Sequence, residues 1–178
     1  PLGFLAESLL SPPAGGGDAR RAEGVGVDFC VGARNKDLVL FKNRIEKIPN
    51  TKLHIATDDG SEGHKGYITD ILSNLIDSAE KKVLVVTCGP ELMEKKILNI
   101  CNEKNTDCEI SIERYMKCGV GICGQCAVDP IGICMCKEGP VVKRELANKI
   151  TEFGKYHRDK SGKIIYFQIC YIIYFSCT

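Results

Sequence analysis

A glycine-rich stretch of this sequence carries cysteines at a spacing suited to metal binding. Cys118, Cys123 and Cys126 are separated by four residues and then by two, and Cys136 follows after nine more residues. The C-x4-C-x2-C spacing is that of plant-type [2Fe–2S] centres, in which each iron takes two thiolates. Such a centre passes one electron at a time, so the spacing predicts part of an electron-transfer system.

The residues between these cysteines support the same chemistry. Three thiolates converge on a small cluster only if the chain folds back tightly, and Gly119, Gly121 and Gly124 allow the positive φ values that such a turn needs. Their amides are free to point at anionic sulfur, which tunes a cluster's potential. Lys117 places a positive charge beside the same anion.

Two other uses of the cysteines are weaker interpretations. Structural zinc sites favour paired C-x2-C units, and this stretch has only one such pair. The alternative of another functional class is therefore a zinc-stabilised binding module. A disulfide framework is disfavoured because the eleven cysteines are an odd number, no signal peptide precedes them, and the Lys- and Glu-rich body predicts a cytoplasmic protein.

The fourth ligand is a choice between Cys134 and Cys136. The two residues lie two positions apart, so in an extended segment they face the same side. We favour Cys136 because it opens the turn that runs to Pro140 and is fixed there. Cys134 is then expected to be a packed small hydrophobe near the cluster.

Composition and charge exclude some classes of partner. The 178 residues fit one domain and a small appendage, and the net charge of +1 comes from interleaved acids and bases. No basic run with aromatic residues is present, so nucleic acid is not an expected partner. The apolar C-terminal tail, 161–178, is too short to predict a membrane-spanning helix, and no membrane partner is expected.

The hydrophobic pattern predicts how these residues are positioned. Strands and helices alternate through the first two thirds of the chain, which indicates a parallel α/β sheet with helices on both faces. The predicted strands are 25–33, 52–57, 82–87 and 108–112, the third of them buried on both faces. The predicted helices are 38–48, 67–76 and 91–102. Residues 2–10 are read as the end of a helix and 11–26 as a loop.

Two strand ends carry candidate binding residues, because ligands of open α/β sheets lie at the carboxyl ends of strands. The third strand runs into Cys88, Gly89, Pro90 and Glu91 and then directly into a helix. A plain strand-to-helix turn explains this segment equally well. The first strand ends in Gly32-Ala-Arg34, where an arginine suits a phosphate or ribose edge, although a solvated arginine is the commoner reason for one there.

The loop 57–66 also follows a strand and contains two neighbouring carboxylates, Asp58 and Asp59. Paired carboxylates can bind a metal or act as acid and base. Glycine-punctuated Asp and Ser residues are more typical of local side-chain turns, and we expect turns here.

The sequence resembles the electron-transfer subunit of type B dihydroorotate dehydrogenase, within the ferredoxin-reductase-like superfamily. The resemblance is carried by Glu113-Arg-Tyr-Met-Lys-Cys-Gly-Val-Gly-Ile-Cys-Gly-Gln-Cys126 and by Cys136-Lys-Glu-Gly-Pro140. It extends upstream through Cys88-Gly-Pro-Glu91, 57–61 and Gly32-Ala-Arg34. The upstream pieces are typical of the wider superfamily, whereas the cysteine motif belongs to a small group of reductase subunits.

This resemblance implies cofactors and a partner. A catalytic subunit oxidises dihydroorotate on FMN in pyrimidine biosynthesis, and electrons then pass through a [2Fe–2S] cluster to FAD and on to NAD. By the same resemblance, Cys118, Cys123, Cys126 and Cys136 ligate the cluster. The segment Cys88–Glu91 is expected near nicotinamide and flavin, and Gly32 and Arg34 near the nucleotide. No residue of this chain is expected to oxidise the substrate itself.

The resemblance also implies a division of the chain. Residues 1–112 are expected to form a partial NAD-binding α/β domain, without the FAD-binding barrel and first strand of the family, which suggests a fragment. Residues 113–160 are expected to bind the cluster, and 161–178 to form an apolar tail. The related flavin and iron–sulfur subunits of hydrogenases or sulfite reductases share the cysteine motif and are the alternative within oxidoreductases.

Overall fold

The computed structural model describes residues 26–167, which fall into two compact units that divide after Lys81. The helix predicted at 2–10, nearly all of the loop predicted at 11–26, and the tail beyond residue 167 lie outside the described residues. The boundary predicted at residues 112 and 113 falls within the second unit, and it stays a prediction about cofactor binding.

The first unit, residues 26–81, is built on a parallel sheet. Its strands are β1 (Val27–Ala33), β2 (Thr51–Thr57) and the short β3 (His64–Lys65), in the order β1-β2-β3. Ala33 pairs with Thr57, so the loops that follow β1 and β2 begin side by side at the carboxyl edge of the sheet. Strands β1 and β2 agree closely with the predicted strands 25–33 and 52–57.

Helix α2 covers this sheet, and a shorter helix, α1, precedes β2. The amphipathic pattern correctly predicts α2 (Ile68–Ser78), which contacts β1 and β2. The helix predicted at 38–48 is wrong in extent. The chain instead forms a 3₁₀ turn at Lys36–Leu38 and the single-turn α1 (Lys42–Ile45), because Phe41 adopts a left-handed φ of 62° between them.

The second unit, residues 82–167, contains a mixed sheet. Its strands are β4 (Leu84–Thr87), β5 (Asp107–Ser111) and β6 (Val141–Lys143), with β4 and β5 parallel and β6 antiparallel to β5. Helix α3 (Glu91–Glu103) connects β4 to β5 as predicted. The mixed α/β class and the parallel pairs are confirmed, but the described strands form separate sheets. Alternating strands and helices predict pairing within a βαβ unit and do not fix pairing between such units.

Strand β4 does not match its predicted burial. Its run of aliphatic residues predicts a strand covered on both faces. Among the described residues, Val85 and Thr87 are buried, whereas Leu84 and Val86 are 57% and 37% exposed. The strand therefore alternates between a covered and an open face, and the run of β-branched residues does not distinguish the two.

The second unit also contains several short elements. They are α4 (Met135–Glu138), α5 (Arg144–Ala147) and the antiparallel hairpin of β7 (Tyr156–Arg158) and β8 (Ile164–Tyr166). The fully buried side chains of this half of the chain include Leu98, Ile110, Ile112, Val128, Met135, Ile150 and Phe153. Between residues 26 and 167, no helix has the length and apolar character that crossing a membrane requires.

Candidate metal centre

The cysteine segment is an irregular loop that lies between β5 and α4. Gly119, Gly121 and Gly124 all adopt positive φ values, of 72°, 76° and 68°. Gly121 needs this conformation for a specific contact, because its amide donates to Cys136 Sγ at 3.2 Å. The prediction that glycines let the loop fold back on its own sulfur atoms is therefore confirmed.

Backbone amides of the loop are directed at sulfur. The Cys123 amide approaches Cys118 Sγ at 3.5 Å, and the amides of Val120 and Ile122 face the same atom. These donors, the Cys123 amide first, lower the pKa of the Cys118 thiol to about 6. Because the thiolate is the form that ligates metal, the loop favours the ligand form of Cys118 before any ion arrives.

The sulfur atoms of the segment fall into two groups that are in side-chain contact. Cys118 is in side-chain contact with Cys123, and Cys126 is in side-chain contact with both Cys134 and Cys136. In the described part of the chain, no three His, Cys, Asp or Glu side chains are gathered around one position for a single ion. Pairs of thiols are the donor set of a [2Fe–2S] centre, which takes two thiolates at each iron. The residues present therefore fit such a cluster.

The two candidates for the fourth ligand differ in how they meet Gly121. Cys136 Sγ accepts a hydrogen bond from the Gly121 amide, and the Cys136 amide donates to Cys126 Sγ at 3.4 Å. The Cys134 thiol instead donates to the Gly121 carbonyl at 3.9 Å. A ligating thiolate accepts hydrogen bonds and has no proton to donate, so this geometry favours Cys136.

The argument from an extended segment does not apply to these two residues. Cys134 is the residue that precedes helix α4, and Cys136 lies within its single turn. Cys134 is half-buried rather than fully packed. The helix ends at Glu138, so Cys136 is held by a helical turn at the start of the stretch Cys136–Pro140 that the sequence predicts to be a turn.

The predicted binding segment Cys88–Glu91 forms the turn between β4 and α3. Cys88 is half-buried, Gly89 and Pro90 are exposed, and Pro90 is the capping residue of the helix. The Glu91 carboxylate is hydrogen-bonded within the protein: it accepts from Arg114 Nη1 at 2.7 Å and from the Gly154 amide at 2.8 Å. The Glu91 side chain is therefore part of a buried ion pair, whereas Cys88 and Gly89 remain candidates for ligand contact.

Gly32 and Arg34 lie in the first unit, at the carboxyl edge of its sheet. A β-carbon on Gly32 would lie 3.2 Å from Ile68 Cβ, so close packing of α2 explains this glycine without a ligand. Arg34 is exposed, and its carbonyl accepts from the Asp59 amide at 3.3 Å. The expected role of both residues near a nucleotide stays a prediction.

The Asp59 carboxylate forms a local side-chain turn in the loop 57–66, as expected from the sequence. Asp59 Oδ1 accepts from the Ser61 amide at 2.9 Å and from the Ser61 hydroxyl at 2.6 Å. These hydrogen bonds lower the pKa of Asp59, since they stabilise its charged form. Ser61 Oγ also accepts from the Lys36 amide, which ties the loop after β2 to the loop after β1.

A buried arginine is the main feature of the second unit that the sequence reasoning missed. Arg114 stands four residues before Cys118, and its side chain is 2% exposed. Its Nε donates to Glu152 Oε1 at 2.8 Å, in addition to its contact with Glu91. The Glu113-Arg114 pair beside the cysteine motif was the available signal, but its partners lie 23 and 38 residues away in the sequence.

Together, the fold and the cysteine segment define an α/β reductase-like chain with an iron–sulfur binding domain. Residues 113–146 match the family described as the iron–sulfur cluster binding domain of dihydroorotate dehydrogenase B. This match covers the cysteine motif that carries the resemblance stated from the sequence, and it confirms that resemblance. A solved structure of an NADH-dependent reduced ferredoxin–NADP oxidoreductase, described for flavin-based electron bifurcation, aligns with a TM-score of 0.62 at 26% identity, over 85% of this chain and 53% of its own.

Relatives from archaea extend the similarity over most of the chain. Three proteins named as probable dihydroorotate dehydrogenase B (NAD(+)), electron transfer subunit, are similar to it. The Methanocaldococcus jannaschii protein is 50% identical over 82% of this chain and 55% of its own length. The Methanothermobacter thermautotrophicus protein is 39% identical (86% and 56%), and the Pyrococcus horikoshii protein 46% identical (75% and 50%). The chain thus spans about half the length of these relatives.

Proposed function

We propose that this chain is part of an electron-transfer subunit that carries electrons from dihydroorotate oxidation to NAD. The observation that carries the proposal is the paired arrangement of thiols around a loop whose amides point at sulfur. The similarity to electron-transfer subunits of dihydroorotate dehydrogenase B supports the choice of reaction. In this proposal, residues 113–160 hold a [2Fe–2S] cluster through Cys118, Cys123, Cys126 and Cys136.

In the proposed path, the two electrons that dihydroorotate releases are the two that NAD accepts, and a one-electron carrier lies between them. Oxidation of dihydroorotate to orotate releases two electrons and two protons, and NAD takes up two electrons and one proton as it becomes NADH. A [2Fe–2S] cluster held by Cys118, Cys123, Cys126 and Cys136 would supply one-electron transfer between FMN on a catalytic partner subunit and FAD on the way to NAD. The chain's own contribution is to hold the cluster's thiolates and to shield their sulfur atoms with backbone amides.

The nucleotide end of the path is assigned to the strand tips. We infer that the segment Cys88–Glu91 lies near the nicotinamide and flavin, at the carboxyl end of β4, and that Gly32 and Arg34 lie near the nucleotide phosphates or ribose. The Lys- and Glu-rich composition and the unpaired thiols of the described residues support a cytoplasmic location.

Metal analysis of the anaerobically purified chain tests the proposal. We expect two iron atoms and two acid-labile sulfides for each chain, visible charge-transfer absorption, and a one-electron EPR signal after reduction with dithionite. Binding of zinc without iron or labile sulfide would refute the electron-transfer function. Copurification with an FMN protein that oxidises dihydroorotate supports the proposed reaction, whereas copurification with a nickel or sirohaem protein contradicts it.

Substitution of the two candidate ligands tests the site assignment. Cys136→Ser is expected to lose most of the bound iron, because it removes one of the four thiolates. Cys134→Ser is the matched control, and it is expected to keep the iron content and the EPR signal of the wild-type protein. Iron, sulfide and EPR intensity are measured on both variants. Loss of the cluster in Cys134→Ser alone would reverse the assignment.

A further inference from the structure

The Glu91 carboxylate lies at the start of helix α3, yet it is bound to the segment that carries the cysteines. Arg114 meets it with two nitrogens, Nη1 to Oε2 at 2.7 Å and Nη2 to Oε1 at 3.3 Å. The Gly154 amide also donates to Oε1. The two side chains are 11% and 2% exposed, so this forked pair is shielded from water.

The ion pair continues through a second carboxylate. Arg114 Nε donates to Glu152 Oε1, and Glu152 Oε2 accepts from the Asp129 amide at 3.0 Å. Arg158 then closes the series, with Nη1 at 3.3 Å from Glu152 Oε2 and Nη2 at 2.7 Å from Asp129 Oδ2. We call Glu91, Arg114, Glu152, Arg158 and Asp129 the ion-pair chain.

The ion-pair chain joins the cysteine segment before Cys118 and again between Cys126 and Cys134. Arg114 precedes Cys118 by four residues, and Asp129 follows Cys126 by three. At its other end, Glu91 is the last residue of the turn at the tip of β4. The contacts between the turn and the segment therefore join buried or half-buried groups directly.

We propose that Glu91 and Arg114 are positioning residues that couple the Cys88–Glu91 turn to the occupancy of the cluster site. The inference rests on the proposed function, since it requires a cluster at the cysteines. A buried ion pair contributes little net stability, because desolvation offsets the Coulomb attraction. Its forked geometry, however, fixes the mutual orientation of the two elements it joins. Ordering of the cysteine segment by the cluster thus restrains the turn where the nucleotide and flavin are proposed to lie.

The ion-pair chain also places charged groups beside the cluster site, and its Arg114 and Glu152 side chains are 2% and 1% exposed. It contains three carboxylates and two guanidinium groups, all in the second unit. Removal of one buried negative charge favours a more negative cluster, because repulsion of the added electron decreases. The reduction potential of the cluster is therefore expected to respond to the charge of Glu91.

Hydrogen–deuterium exchange on the full chain tests the coupling directly. Exchange of the peptide that spans residues 86–92 is compared in cluster-loaded and cluster-free protein. In the wild type, removal of the cluster is expected to raise the exchange rate of this peptide at least tenfold. In Glu91→Gln and Arg114→Lys, removal of the cluster is expected to change the exchange rate of this peptide less than twofold, because the forked contact no longer joins the turn to the cysteine segment.

The reduction potential supplies a second readout that loss of structure alone does not produce. Glu91→Gln removes a buried charge and is expected to raise the potential, whereas Arg114→Lys keeps the charge and leaves it unchanged. Asp107→Asn is the matched control, because it removes a carboxylate that is exposed and paired with Lys82 in the same unit. It is expected to preserve both the potential and the wild-type coupling.

The outcomes separate this inference from the proposed function. Wild-type protein without iron and sulfide would refute the proposed function itself. A loaded wild type whose 86–92 peptide exchanges at the same rate with and without the cluster would overturn the coupling alone. Variants that lose cluster content together with every other property would show that the ion-pair chain is only structural, and this result also overturns the proposal.

Discussion

The Glu94 carboxyl is buried at the first turn of helix α3, with 1% of its surface exposed. Its Oε1 accepts from the Gly89 amide at 3.1 Å, which holds the Cys88-Gly89 turn against the helix. Burial is the main cause that raises the pKa of Glu94 to about 8, and the nearby Glu91 carboxylate adds to the effect. The group therefore holds its proton at neutral pH and resists ionisation.

This raised pKa makes the stability of the chain depend on pH. Below the ordinary carboxyl pKa, Glu94 is protonated in both the folded and unfolded states, so the stabilising effect of its proton is fully present. Between that value and about 8 the folded state binds more protons, so stability falls as the pH rises. Glu94→Gln removes this dependence, and its stability relative to the wild type is expected to rise by on the order of 3 kcal/mol between pH 5 and pH 9.

Urea unfolding at several pH values measures this effect. Gln keeps an oxygen for the Gly89 amide, so the variant isolates ionisation from hydrogen bonding. Glu103→Gln, at the exposed end of the same helix, controls for the loss of one carboxylate. A constant difference between Glu94→Gln and wild type across this pH range would contradict the raised pKa.

At the scale of single residues, the sequence predicts contacts between residues that are close to one another in the chain. The cysteine spacing and the intervening glycines lie within nine residues, so their convergence and the inward-facing amides follow from short-range geometry. Arg114 was visible beside that motif, but its partners Glu91 and Glu152 are brought to it by tertiary folding. For the same reason the sequence does not predict that the Glu91 carboxylate is bound to Arg114.

Among the elements, long amphipathic or aliphatic runs were predicted well and short ones were not. Strands β1 and β2 and helices α2 and α3 agree with their patterns to within a few residues. The segment 38–48 has helical spacing, yet Leu40 and Phe41 are 63% and 45% exposed and only Ile45 is buried. A helical spacing predicts one continuous helix only if the spaced residues all pack on the same side of it. The left-handed backbone of Phe41 interrupts the helix, so the residues on either side of it do not form one face.

The loop between β2 and β3 depends on one glycine. Gly63 has a φ of +69°, and a β-carbon placed on it would lie 2.1 Å from the Ile55 carbonyl oxygen. Gly63→Ala is expected to lower the free energy of unfolding by roughly 3 kcal/mol or more, because left-handed strain and a backbone clash combine. The loss is measured by urea unfolding, with hydrogen exchange of the β1 and β2 amides as the signal for the first unit.

Gly132→Ala is the matched control for this loop. Its φ of +68° is nearly the same, but a β-carbon there meets nothing within 4 Å. It is expected to cost only the conformational strain, about 1–2 kcal/mol. Equal losses in the two variants would show that the close approach to Ile55 is relieved by a small backbone movement.

At the scale of the whole chain, the cysteine segment and its supporting contacts lie on one side of a single division. The two compact units meet in the sequence at Lys81 and Lys82, which are exposed and lie outside any helix or strand. The five cysteines of the cluster site, the ion-pair chain and Glu94 all lie within residues 82–167. The predicted boundary between residues 112 and 113 lies between Glu91 of helix α3 and its ion-pair partner Arg114.

Limited trypsin digestion tests whether the cluster site depends only on the second unit. Cleavage of the loaded chain after Lys81 or Lys82 is expected among the early cuts, because both residues are exposed in irregular backbone. The fragment that begins there is expected to keep its full iron content, since every contact described around the cysteines lies within it. Mass spectrometry and iron analysis of the separated fragments give the result. Release of iron upon this cleavage would mean that residues before 82 also hold the cluster segment in place.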